Sequence, residues 1–278
     1  METQKVWFIT GSSTGFGREL VEALLAQGQK VIATARKPEK LKVLKMEYPD
    51  LLGTLELDVT NPEQVRSAVS QAVDCFGGID VLVNNAGYGL QSAVEEATDA
   101  QIRDQFEVNL FGALDVMRAV LPVMREQRSG HIMNVSSVGG FSGFASFGIY
   151  NGTKFGLEGV SEALALETEH LGIKVTIIEP GAFRTDWAGR SMIKSAPIAD
   201  YHETSGAIRQ WISDIDGNQQ GDPALGARAI IKAGLSENPP LRLVLGKDAL
   251  DRIRQKIYTM SDELNRWEEV SVNTAFAD

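Results

Sequence analysis

The chain runs to 278 residues, 43% hydrophobic and 23% charged with a formal net charge of -10, the profile of a soluble globular protein with room for one large α/β domain. Its acidity opposes phosphate backbones and anionic lipid surfaces, so neither nucleic acid nor a membrane is an expected partner. The single cysteine, Cys75, excludes an internal disulfide and a thiolate-metal cluster, which makes the reducing cytoplasm the expected compartment.

The first apolar run, VWFIT, is too short for a signal peptide or a membrane span, and it reads as a strand. It enters TGSSTGFG, with Gly11, Gly15 and Gly17, and then the apolar periodicity of a helix over 15–27. Such a turn brings backbone N–H groups to the positive end of a helix, where a pyrophosphate binds. Gly11 and Gly15 permit unusual φ and close approach, Gly17 lets the helix pack on the sheet, and Ser13, Thr14 and Phe16 are the other candidate contacts. The second strand, KVIATA, leads to Arg36 and Lys37, with Ala35 where a ribose-binding carboxylate would sit. An arginine there favours NADP(H) over NAD(H), with NAD(H) still possible.

GTLELDV follows as a third strand carrying Asp58 and Val59, then a helix over 62–76. VLVNN is a fourth strand, ending in Asn85-Ala86-Gly87, and a long helix is predicted over 99–127 around Asn109. HIMNVSS closes a fifth strand with Ser136 and Ser137. The next stretch, GIYNGTKFGLEG, holds an Asn-Gly pair that locally signals a hairpin turn. Read as a helix over 150–171, it instead stacks Tyr150 and Lys154 on one face. KVTIIEP is a sixth strand, closing on Pro180 and Gly181. Residues 182–222 then form an insertion of about forty residues, a length typical of lids and binding loops. LRLVLG is a seventh strand, followed by an extension over 248–278 that begins with a helical pattern. The rhythm is that of one α/β domain spanning 1–278, a doubly wound, Rossmann-type three-layer sandwich on a seven-stranded parallel sheet.

These pieces together, T-G-x-x-x-G-x-G, N-N-A-G, the serine, Y-x-x-x-K and P-G from Thr10 to Gly181, resemble the short-chain dehydrogenase/reductase superfamily. PPLRLVLGKDAL is similar to its 17β-hydroxysteroid and retinol dehydrogenase-like members. The resemblance implies Ser137, Tyr150 and Lys154 as catalytic residues and Asn109 as the holder of a water in a proton path. It places Ser137 thirteen residues before the tyrosine, which selects it over Ser136. It also implies that Asp58 and the backbone near Val59 line the adenine site, that Asn85, Ala86 and Gly87 support the central strand and the cofactor, and that Pro180, Gly181 and Thr185 adjoin the nicotinamide. Lys154 and Tyr150 would touch the nicotinamide ribose.

The implied reaction interconverts a ketone or aldehyde with an alcohol by hydride transfer, Tyr150 serving as acid or base. Lowering a phenol from about 10 to about 7 requires roughly 4 kcal/mol of anion stabilisation, to which a lysine one turn away contributes. Ser137, Tyr150, Tyr88, Phe144, Phe183 and Trp187 are the expected substrate contacts, and their aromatic character suits an apolar carbonyl or alcohol. Family members pair through the helices predicted here over 99–127 and 150–171, so a homodimer or homotetramer is expected. The rival reading is a non-catalytic NADP(H)-sensing regulatory protein on the same fold. His131, His170 and His202 lack ligand spacing, so no metal is expected. Gly152, where the family carries Ser or Ala, costs the helix about 1 kcal/mol relative to Ala.

Overall fold

The computed structural model describes residues 4–189 and 191–276. In chain order come β1 (Val6–Ile9), α1 (Gly15–Ala26), β2 (Lys30–Ala35), α2 (Lys42–Glu47), β3 (Leu52–Glu56), α3 (Pro62–Phe76), β4 (Val81–Asn84) and the short β5 (Gly89–Gln91). Then follow α4 (Asp99–Phe106), α5 (Gly112–Gln127), β6 (Gly130–Val135), α6 (Gly148–Thr168), β7 (Ile173–Pro180), β8 (Met192–Lys194), α7 (Ala207–Ile215), α8 (Pro223–Gly234), β9 (Arg242–Leu245) and α9 (Lys247–Val272).

Seven strands form one parallel sheet, as the sequence rhythm predicts, and the structure sets their order as β3-β2-β1-β4-β6-β7-β9. Period-two alternation explains why the strands are apolar throughout. Trp7, Ile9, Val31, Ala33, Val81 and Val83 face one core with α1 and α8. Phe8, Ile32 and Leu82 face the other, with α3, α5 and α6. Local chemistry sets several helix ends: Asn61 accepts from the N–H groups of Glu63 and Gln64 ahead of Pro62, and Gly77 closes α3 at φ +86°. Thr98 and Gln101 form a reciprocal capping box on α4.

The helix expected over 99–127 is interrupted. A five-residue π-helical stretch, Glu107–Phe111, separates α4 from α5 and carries Asn109. The insertion also has internal order, with β8 pairing with β5 in a separate parallel ribbon. Strand order reverses between β1 and β4, where ligands bind at the carboxyl ends of an open sheet.

Candidate active site

The turn after β1 is built around the following strand end. Asn85 Nδ2 donates to the carbonyls of Thr10 (2.9 Å) and Gly11 (3.0 Å), while Thr10 Oγ1 accepts from the N–H groups of Asn85 and Ala86, both at 3.0 Å. Gly11 has φ +68°, and a Cβ there would lie 2.9 Å from Ala86 Cα. At Gly17 a Cβ would come within 2.4 Å of the Gly11 carbonyl. Helix α1 has no acidic residue in its first turn and no side-chain cap from Thr14, so its leading N–H groups are available to an anion. Thr14 is exposed and Ser13, Gly15 and Phe16 are half-buried along the rim. Thr185 reaches over this rim, its Cβ 3.7 Å from where a Gly15 Cβ would stand.

Farther along the edge, Arg36 is exposed just beyond the buried Ala35. Asp58 accepts from Thr60 N–H (3.0 Å) and Oγ1 (2.7 Å), and Val59 packs against Gly112 of α5. On the other side, Pro180 ends β7, and Gly181 leaves no space for a Cβ because the Asp248 carboxylate would sit 2.3 Å from it.

The Asn-Gly pair lies inside α6, so Tyr150 and Lys154 share a helical face, with the ammonium 5.8 Å from the phenol ring centroid. Lys154 Nζ donates to the Val135 carbonyl at the end of β6 (2.8 Å). Ser137 Oγ faces the phenol and accepts from Gly139 N–H (3.0 Å). Its neighbour Ser136 points away, donating to Glu158 at 2.6 Å. Burial pushes the Tyr150 phenol up to about 12, with the Ser137 hydroxyl opposing it. Burial likewise pulls the Lys154 ammonium down to about 8, against the opposing charge of Glu158. Asn109 accepts from Tyr88 N–H (3.1 Å) and donates to its carbonyl (2.9 Å), clasping the segment after the fourth strand. Gly87 lies between Asn109 and Lys154.

An aromatic group covers the phenol. Trp187 stacks on Phe147 with centroids 5.8 Å apart and lies 5.3 Å from the Tyr150 ring, with Met192 and Phe144 alongside. Phe183 parts from this set and corrects an expectation: its ring packs on Phe16 at 4.9 Å and against Gly226 of α8. The parallel bridge from Phe183 to Gly221 holds it in the core beside the glycine turn, not over the phenol. Tyr88 sits near Asp104 of α4, and burial with that charge raises its phenol.

Three supporting residues escaped the sequence reading. Asn151, taken there as half of a turn signal, is buried and staples the loop before α6 by donating to Gly139 O (2.7 Å) and accepting from Phe144 N–H (3.0 Å). Glu158 ion-pairs with Arg242 of β9, and its helical spacing from Lys154 was a legible signal. Gln91 is wholly buried on the same face of β5 as Gly89, which abuts Trp187, and its carboxamide has no hydrogen-bond partner among the described residues; nothing in the sequence marked it.

A sheet of this order, with an anion-accepting turn at its reversal point, defines the class of doubly wound dinucleotide-binding proteins. More particularly, the family model for short chain dehydrogenases matches residues 5–194, and the chain belongs to that family. It is 41% identical over 272 residues to oxidoreductase BOA17 of Botryotinia fuckeliana strain B05.10, covering 98% of this chain and 99% of that one. A solved short-chain dehydrogenase from Streptomyces avermitilis superposes with a TM-score of 0.93 at 44% identity, covering 99% of this chain and 100% of the other. ElxO, solved with NADP bound, is similar with a TM-score of 0.75 at 27% identity, over 90% of this chain and 100% of its own.

Proposed function

We propose that this protein is an NADP(H)-dependent oxidoreductase that interconverts an apolar ketone or aldehyde with its alcohol. The convergence of Ser137 and Lys154 on the buried Tyr150, beside a turn with no room for Cβ atoms at Gly11 and Gly17, carries the reading. The turn residues fit a pyrophosphate, and Asp58, Val59 and Arg36 follow along the edge where the adenosine end would lie. The exposed Arg36 supports a 2′-phosphate. Bound there, a nicotinamide dinucleotide supplies or takes the hydride.

The residues of the chain manage the proton and the charge. At neutral pH a phenol pushed up to about 12 is protonated, so Tyr150 is a ready donor to a carbonyl oxygen gaining negative charge. Ser137 donates to the same oxygen and holds it in line. Lys154 stabilises the phenolate that remains, its ammonium steered by the Val135 carbonyl. Trp187, Phe147 and Phe144 make the approach apolar, and substrate reaches the phenol by displacing the Trp187 indole.

Tyr150→Phe is expected to lower turnover by about three orders of magnitude while leaving NADPH binding intact, measured by reduced-nicotinamide absorbance over a carbonyl panel and by fluorescence titration. Near-normal turnover would overturn the mechanism. NADPH binding with silence of the wild-type protein across the panel would favour the sensing role. For the cofactor, Arg36→Ala should weaken NADPH far more than NADH; an unchanged preference removes the arginine from recognition.

A further inference from the structure

Helix α9 begins on the body and then leaves it. Ala249 and Ile253 pack with Val138, Phe141, Phe144 and Val244. From Ile257 to Val272 every residue is exposed, an overhang about 24 Å long at the α-helical rise. The stripe that seats its first turns continues along it at three- and four-residue steps: Ile257, Met260, Leu264 and Trp267, exposed by 53%, 45%, 67% and 62%. A helix with no packing partner derives little stability from propensity alone. Four large apolar side chains in line are a coiled-coil seam lacking its second strand.

We propose that this seam is covered by α9 of a second copy of the chain, in an antiparallel two-fold pair. Two features select that occupant. The stripe is symmetric about position 262, so reversal sets Ile257 against the partner's Trp267 and Met260 against the partner's Leu264, making the patch its own complement as a two-fold interface requires. The residues flanking the seam are basic toward the body, Arg254 and Lys256, and acidic toward the tip, Glu263 and Glu268, while Asp251 and the Asp262–Arg266 ion pair lie on the outer face of the helix. Antiparallel pairing brings Arg254 to the partner's Glu268 twice over, whereas parallel pairing aligns like with like. Glu263 meets its own copy near the axis, an unfavourable contact that the Arg254–Glu268 pairs offset. This surface is separate from the helices that the family resemblance implies for pairing, and it does not depend on the proposed reaction.

The test is mass in solution by sedimentation velocity on the full chain at micromolar concentration. Leu264→Asp/Trp267→Asp should halve the mass of the wild-type particle, while thermal melting of the body and NADPH binding confirm an intact fold. Arg254→Glu alone should weaken association, and Arg254→Glu/Glu268→Arg should restore it. In a Cys75→Ser background, Ser261→Cys should crosslink under oxidation, because this flanking position meets itself only in the antiparallel pair. A Leu264→Asp/Trp267→Asp particle of wild-type mass, no rescue by the charge swap, or flotation of a monomer with lipid vesicles would overturn the proposal.

Discussion

At the scale of single residues, Gly152 shows how a local signal is overruled and what the overruling costs. Asn-Gly favours a hairpin, yet the pair lies in the first turns of α6 because Tyr150, Asn151 and Thr153 are all buried there. A Cβ at Gly152 would meet only Phe106 Cζ, at 3.4 Å. Gly152→Ala is therefore expected to stabilise the fold by about 1 kcal/mol through helix propensity, visible as a higher denaturant midpoint at unchanged slope. A lower midpoint would mean that the Phe106 contact is already closed. Tyr150, Lys154 and Ser137 were legible because spacing along one helix, and between strand end and helix, is a property of the chain itself. Phe183 was not: its ring turns toward Phe16 only because the bridge to Gly221 sets its direction.

At the scale of elements, the segment between β6 and α6 matters most. Its Ser137 must face the phenol, and its Phe144 must reach the aromatic cover. Asn151 holds both ends of this loop, bonding Gly139 O and Phe144 N–H. Removing a buried partner from two backbone groups costs about 1–3 kcal/mol for each. Asn151→Ala should accordingly lower turnover and thermal stability while affinity for the nicotinamide cofactor, proposed to bind at the glycine turn, stays near wild type. Equal losses in turnover and NADPH binding would show that the loop and the turn are coupled. The sequence marked Asn151 as a turn former because its side chain satisfies backbone groups; it does so here, but across space, in a loop twelve residues upstream in one bond and seven in the other.

At the scale of the whole molecule, buried polar groups tie the sheet to pH. His131 on β6 lies against Thr176 of β7 at 2.9 Å, and Thr176 donates in turn to Pro240 O, so His131 Nε2 is the donor to Thr176. Burial pulls its imidazole down to about 4. Between pH 6.5 and 4 the unfolded chain gains a proton that the folded one resists, so stability falls as pH drops through that window, by roughly 3 kcal/mol from this group. Chemical denaturation across that range should show a shallower loss for His131→Gln than for wild type; parallel curves would place the acid sensitivity elsewhere. The sequence by itself determined the seven strands of the parallel sheet, the glycine turn and the spacing of Ser137, Tyr150 and Lys154, since periodicity and backbone permissiveness are local properties. Tertiary structure alone decided that a π-helical turn aims Asn109 at Tyr88, that Trp187 and not Phe183 covers the phenol, and that Asn151 staples rather than turns. Each of those depends on partners outside the local element, seven to thirty-seven residues away, brought together only when the chain packs on the sheet.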